Sequence, residues 1–158
     1  MNRHPGGKNN TIKLIEMAGI SPPLSILDMG SGEGATVELL NSLGYDCTGI
    51  DKLTGGDFLN LPYGGESFDA VISECAFFAS GDQRRAVDEA FRVLKTGGVL
   101  MLADLFDDEL WFETEKTEDI TKEWTEYYLE KLWTEDNVCE IPHKKGRLHY
   151  YLLTARKG

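Results

Sequence analysis

The chain has 158 residues, of which 41% are hydrophobic and 27% charged, and its formal net charge is -11. These values predict one globular domain with a hydrophobic core and exclude a disordered or fibrous chain. Because a polyphosphate backbone repels an acidic protein, the charge argues against nucleic-acid binding. No apolar run approaches the roughly 20 residues of a membrane span, and the N-terminal sequence MNRHPGGKNN lacks the apolar region of a signal peptide. We therefore expect a cytoplasmic protein without a membrane partner.

The three cysteines are widely spaced, and none forms a C-x-x-C pair: Cys47, Cys75 and Cys139. This spacing predicts neither a disulfide framework nor a structural zinc site. We expect free thiols in a reducing compartment and no bound metal.

In chain order, hydrophobic periodicity predicts helices over 10–18, 35–43 and 82–94 and strands over 25–29, 46–50, 68–73 and 99–103. Apolar strands that alternate with helices indicate an α/β domain with a doubly wound, mostly parallel sheet. Farther along, the spacing of Ile120, Trp124, Tyr127, Tyr128 and Leu132 predicts a long acidic helix, and 148–155 predicts a last strand.

A glycine-rich turn, DMGSGEGA, joins the first strand to the second helix. Gly30 and Gly32 allow the backbone to approach a ligand closely, and the helix that follows favours carboxylate or phosphate oxygens. The pattern also satisfies the G-x-G-x-x-A form of a dinucleotide-binding fingerprint, which leaves a nicotinamide-dependent oxidoreductase open. Asp28 before the turn suits an ammonium group and would oppose a pyrophosphate. Asp51, at the end of the second strand, can accept both hydroxyls of a ribose.

Four segments in the same order resemble the motifs of class I S-adenosylmethionine-dependent methyltransferases. They are DMGSGEG, the acid Asp51, GDF with LPYGGESFDAV, and LKTGGVL. The resemblance extends from about residue 25 to 104 and implies a Rossmann-like methyltransferase fold with an antiparallel last strand. It also implies one domain over 1–158, with an N-terminal helix or lid (1–23), a cofactor-binding core (24–104) and an acidic helix with the last strand (105–158).

The resemblance implies S-adenosylmethionine as cofactor, S-adenosylhomocysteine as product and methyl transfer to a small-molecule acceptor by direct in-line displacement. The methionine end of the cofactor would lie against Asp28, Met29, Gly30, Ser31, Gly32 and Gly34. Asp51, with Lys52 beside it, would bind the ribose, and Asp57 and Phe58 the adenine. Glu74 and Cys75 follow the third strand at the position that faces cofactor and acceptor.

Glu74 is the candidate catalytic base, because it is the best-placed carboxylate; the alternative is a hydrogen bond to the cofactor or a capping role. Cys75 has no basic neighbour in sequence to activate its thiol, which favours a structural role.

The chain departs from the family between Asp51 and Asp57, where five residues replace a helix and a strand. A crossover to a parallel strand needs a dozen or more residues, so we expect a reduced sheet of order 2-1-4-5 in family numbering plus the antiparallel strand. The shortening leaves a second function open, namely a cofactor-binding module or regulatory partner without transferase activity. A homodimer could complete the pocket.

Overall fold

The computed structural model describes residues 7–106, 124–136 and 147–158. Within these ranges the elements follow in the order α1 (Gly7–Ala18), β1 (Ser25–Met29), α2 (Ala35–Ser42), β2 (Asp46–Ile50), β3 (Phe68–Glu74), α3 (Gln83–Val93), β4 (Leu94–Phe106), β5 (Trp124–Asp136) and β6 (Arg147–Lys157). The first two predicted strands have the predicted bounds, and the other predicted elements up to β4 are present with shifted ends.

The strands form one sheet of order β2-β1-β3-β4-β6-β5. β1 pairs in parallel with β2 and β3, and β3 pairs in parallel with β4. β6 lies antiparallel to both β4 and β5. The predicted mixed α/β sheet with an antiparallel last strand is therefore confirmed, and β5 adds one further strand beyond it.

The helices cover both faces of this sheet. On one face, Leu14 of α1 and Leu40 of α2 pack against Ile26 and Ile72. On the other face, Ala90 and its neighbours in α3 pack against the opposite side chains of the same strands, such as Leu27 and Val71. Because the centres of β1 and β3 are buried on both faces, their apolar residues are consecutive rather than alternating, as in Ile26–Leu27 and Ala70–Ile72.

The predicted acidic helix near residues 120–132 is wrong for its described part, because residues 124–136 form strand β5. Trp124, Tyr127 and Leu129 all pack on the α3 side of the sheet, although Trp124 and Tyr127 are three residues apart. Leu132 packs on the opposite side, with α1 and α2. A bulge between Thr125 and Tyr128 inserts a residue into the alternation and so imitates helical spacing. Residues 107–123, where the rest of the predicted helix falls, lie outside the described residues.

The edge of the sheet at β2 is the shortened side of the fold. Asp51 leads into a 3-10 turn over Lys52–Thr54, and within the described ranges no strand pairs with the outer side of β2. The side chain of Asn41 accepts from the Cys47 amide at 2.8 Å and donates to the Cys47 carbonyl at 3.2 Å. One pair of outward-facing backbone groups is thereby satisfied, which makes this edge less able to pair with another chain.

Among the described residues, no helix combines the length and the apolar character needed to cross a membrane.

Candidate functional site

The predicted site residues lie where the parallel strands end. Asp28 of β1 pairs in register with Gly49 of β2 on one side and with Ile72 of β3 on the other. The chain passes from β1 to β2 in one direction and later to β3 in the other, so the strand order reverses at β1. A crevice at the carboxyl ends beside such a reversal is where open α/β sheets bind ligands.

The glycine turn after β1 bends tightly and leaves open space beside it. The amides of Gly30 and Ser31 both donate to the Ile50 carbonyl, at 2.8 and 3.0 Å. Gly30, Gly32 and Gly34 have φ of 88°, 54° and 92°, in the left-handed region that favours glycine. A Cβ at Gly30 would lie 2.4 Å from that of Ala76, whereas one at Gly32 or Gly34 would meet no atom within 4 Å. The first glycine is therefore required for packing, and the other two border the space that a ligand could fill.

The Asp51 carboxylate holds this turn in place. Its Oδ2 accepts from the Gly32 amide at 2.9 Å, and its Oδ1 accepts from the Leu53 amide at 2.9 Å. A carboxylate oxygen can accept a second hydrogen bond, so both oxygens retain capacity for ligand hydroxyls. Asp51 thus connects the glycine turn to the end of β2 and remains half-buried rather than enclosed.

Asp28 is a buried acid that lies near two other carboxylates. It is 2% exposed, and its pKa is raised well above its usual value, first by burial and then by the negative charges of Glu74 and Asp51. No hydrogen bond from the described residues lowers that pKa. A cationic ligand group beside this carboxyl would relieve the electrostatic cost, because an opposite charge within a few ångströms favours the ionised form.

Glu74, at the end of β3, is held by two hydroxyls from different helices. Thr11 of α1 donates to its Oε2 and Thr36 of α2 donates to its Oε1, both at 2.6 Å. Glu74 is 9% exposed, and the two threonines are also buried. The carboxylate therefore ties both helices to the end of β3, next to the glycine turn.

The next residue, Cys75, is half-buried, and burial raises the pKa of its thiol to about 12. Its Sγ lies 3.9 Å from the hydroxyl oxygen of Tyr150. A thiol in this state is almost wholly protonated at neutral pH and is a poor nucleophile. This agrees with the structural role expected for Cys75.

The remaining predicted residues lie along the same edge. Met29 is fully buried in the core, so only its backbone can face a ligand. Lys52 and Asp57 are exposed, and the Leu59 amide donates to Asp57 Oδ1 at 2.9 Å. Phe58 is buried, with its ring stacked on that of Phe77 at a centroid distance of 5.7 Å.

Three residues of this edge were not identified from the sequence: Thr11, Thr36 and Asp104. Asp104, fully buried in β4, accepts from the amides of Phe77 and Phe78 through Oδ2 and from that of Leu105 through Oδ1. Its pKa is raised to about 7, chiefly by burial. Asp104 could have been identified as a candidate, because it is an acid directly after the predicted strand 99–103. No sequence pattern marks Thr11 or Thr36 as a partner of Glu74.

Within the described residues, no group of three or more His, Cys, Asp and Glu side chains is arranged to hold a metal ion. The residues at this edge instead offer carboxylates and backbone amides, which suit a ligand that carries an ammonium group, hydroxyls and a carboxylate.

Comparisons with known proteins find methyltransferases among the proteins of similar sequence. The family model described as "Methyltransferase domain" matches residues 52–102. The glycine/sarcosine/dimethylglycine N-methyltransferase of Actinopolyspora halophila is 34% identical over 109 residues, which are 54% of this chain and 19% of that protein. The chain spans between 19% and 50% of the length of three curated relatives that it matches.

Two solved structures extend the comparison to the fold. The MccD protein superposes with a TM-score of 0.73 at 16% identity, covering 99% of this chain and 100% of that one. The phosphoethanolamine N-methyltransferase 2 of Haemonchus contortus, in complex with S-adenosyl-L-methionine, superposes with a TM-score of 0.72 at 13% identity, covering 98% of this chain and 53% of that one. At these identities the superpositions show a shared fold.

Proposed function

We propose that the chain is a class I S-adenosylmethionine-dependent methyltransferase, which transfers the methyl group of S-adenosylmethionine to a small-molecule acceptor. The match to the methyltransferase-domain model over residues 52–102 and the similarity to curated methyltransferases support this proposal. The observation that carries the proposal is the buried Asp28, whose pKa is raised by burial and by neighbouring carboxylates, beside an open glycine turn. An ammonium group is the natural partner of such a carboxyl, and the methionine end of the cofactor provides one.

Each part of the cofactor would have a partner among the residues of this edge. Gly32 and Gly34 leave room for its amino-acid end, next to Asp28. Asp51, already oriented by two amides, would accept from the ribose hydroxyls, with Lys52 beside it. Asp57 would accept from the adenine amino group while Phe58 borders the base. Met29, Gly30, Ser31, Glu74 and Cys75 complete the proposed binding set.

When bound, the cofactor supplies an electrophilic methyl group on a sulfonium centre. The chain's own task is to hold donor and acceptor in line, which can contribute about 7–11 kcal/mol of the barrier. The negative charges of Glu74 and Asp51 beside Asp28 suit a cationic cofactor.

A catalytic role for Glu74 remains a prediction, and its two threonine hydrogen bonds support a competing role as a structural tie. Glu74→Gln distinguishes them. A general base contributes about 10²–10⁴ in rate, so its loss lowers kcat while KM for the cofactor stays the same. A tie would instead raise KM and lower the unfolding temperature.

The cofactor is tested by isothermal titration calorimetry with S-adenosylhomocysteine, with NAD titrated in parallel. Asp51→Ala should weaken binding of S-adenosylhomocysteine by on the order of tenfold or more, because it removes two hydroxyl acceptors. Asp46→Ala is the matched control, since Asp46 is an exposed acid at the opposite end of the same strand. Heat from NAD and none from S-adenosylhomocysteine would reject the proposal in favour of an oxidoreductase.

The second candidate is a module that binds the cofactor without transferring methyl groups. It is favoured by the engagement of both Glu74 oxygens and by the missing strand outside β2 in the described ranges. Both candidates predict binding, so the decisive assay incubates the protein with methyl-labelled cofactor and a panel of amine, hydroxyl, thiol and carbon acceptors. Tight binding without transfer to any acceptor favours the module. A homodimer that completes the pocket belongs to either candidate and is checked by light scattering.

A further inference from the structure

The segment that carries Asp57 and Phe58 has no regular secondary structure, yet it is fixed to α3 by two arginines. Arg85 Nε donates to the Leu59 carbonyl at 2.9 Å. Arg92 donates through Nη2 to the Leu61 carbonyl at 3.2 Å and through Nη1 to the Tyr63 carbonyl at 2.7 Å. The two guanidinium groups thus hold three carbonyls at alternate positions of the segment.

Both arginines are in turn held by one buried carboxylate on α3, that of Glu89. Its side chain is 6% exposed, whereas those of Arg85 and Arg92 are 49% and 41% exposed. Glu89 Oε1 accepts from Arg85 Nη2 at 3.1 Å, and Oε2 accepts from Arg92 Nη2 at 2.7 Å and Nε at 3.1 Å. A buried acid between two exposed cations fixes the planes of both guanidinium groups, because their donor geometry is rigid.

A continuous series of hydrogen bonds leads from Glu89 to the proposed adenine acceptor. Glu89 holds Arg85, Arg85 holds the Leu59 carbonyl, and the Leu59 amide donates to Asp57 Oδ1. Each step is 2.9 or 3.1 Å long. The exposed Asp57 carboxylate is therefore oriented by a network in which Glu89, on α3, is the buried charged group.

We infer that Glu89 is a positioning residue for the adenine end of the site: through Arg85 and Arg92 it orients Asp57 and so sets the preference for adenine over other bases. This inference rests on the proposed function, because it assumes that the nucleoside of S-adenosylmethionine binds at Asp57. Glu89 accepts hydrogen bonds from the two arginines, so its effect on Asp57 is indirect.

The test compares two ligands that differ only at the base. S-adenosylhomocysteine carries the adenine amino group, whereas S-inosylhomocysteine carries a carbonyl oxygen that an aspartate repels. Calorimetry gives Kd for both ligands with the wild type, Glu89→Gln and Arg85→Lys. Asp88→Asn, an exposed change on the neighbouring residue, is the matched control. Thermal melts without ligand establish that each variant is folded.

We expect the wild type and Asp88→Asn to prefer the adenine ligand by at least about tenfold, the size of one hydrogen bond to a charged acceptor. Glu89→Gln and Arg85→Lys should each reduce this preference by about threefold or more, mainly through weaker binding of S-adenosylhomocysteine. A purely structural role would weaken both ligands equally and leave the preference unchanged, which overturns the inference. If Glu89→Gln does not fold, an unchanged preference in Arg85→Lys overturns it equally. Absence of wild-type binding would instead reject the proposed function.

Discussion

Asp28→Asn is a substitution with opposite expected effects on stability and on ligand binding. The wild-type carboxyl is buried without a hydrogen bond from the described residues, and its pKa is raised by burial, Glu74 and Asp51. The amide has nearly the same shape but cannot ionise. We expect the ligand-free variant to gain stability relative to the wild type as pH rises, and to lose affinity for S-adenosylhomocysteine.

The sign follows from the folded and unfolded pKa values of Asp28. Because the folded value is the higher one, its stabilising contribution is complete below the unfolded pKa of about 3.9 and is lost as pH rises through the folded pKa. Asparagine does not titrate, so the unfolding free energy of the variant minus that of the wild type should increase with pH. A single stabilising substitution commonly contributes about 0.5–2 kcal/mol, which is the gain we expect at neutral pH.

Binding should change in the other direction. A hydrogen bond between a charged donor and its partner contributes about 1.5–3 kcal/mol, so losing the carboxylate should raise Kd for S-adenosylhomocysteine by about 10- to 150-fold. Urea denaturation between about pH 4 and pH 8 gives the stabilities, and calorimetry gives Kd. Asp46→Asn, an exposed change on β2, is the control. The reasoning fails if the stability difference falls with pH, or if the variant binds the ligand as tightly as the wild type.

Three further substitutions or treatments test the geometry of the site. Gly30→Ala should lose about 1–3 kcal/mol more unfolding free energy than Gly32→Ala, since both have positive φ but only the first places a Cβ against Ala76; equal losses in urea denaturation would contradict the packing argument. Asp104→Asn should destabilise by about 1–3 kcal/mol, because its amide group would face backbone donors. Its wild-type carboxyl, with a pKa of about 7, contributes stability that is lost as pH rises through that value, so the deficit of the variant in urea denaturation should be larger at pH 5 than at pH 8. A deficit that grows with pH would contradict this assignment. The thiol of Cys75, with a pKa of about 12, should react with iodoacetamide far more slowly in the folded than in the unfolded protein at about pH 8, as followed by mass spectrometry; equal rates would contradict its burial.

Much of the fold is local in origin and was predictable from the sequence. β1 and the glycine turn follow from a short apolar run and from glycines at alternate positions after it, and α3 begins where Asp82 accepts from the Arg85 amide. The gap of five residues after Asp51 also predicted the missing strand, because chain length alone limits what can be built there. The resemblance to a known family added the order of the motifs.

β5 could not be assigned from the local pattern, because its two bulges arise only when the strand pairs with β6. On a regular strand, two residues three positions apart lie on opposite faces. Trp124 and Tyr127 have this spacing and share one face, so their pattern indicated a helix, and only the pairing of β5 with β6 shows the bulge that explains it. Aromatic and β-branched residues in this segment favour a strand, a signal that a prediction from periodicity alone does not use.

The residue types at the candidate site were determined by the sequence, whereas the hydrogen bonds that hold them depend on tertiary structure. Asp28 and Asp51 are near the ends of their own strands, and strand ends are local features. Thr11 is 63 positions from the Glu74 carboxylate that it contacts, and Arg85 is 26 from the Leu59 carbonyl. Such contacts form only when the sheet brings distant segments together. The partner of each side chain depends on which groups lie near it in the folded chain, and the spacing of residues in the sequence does not show this.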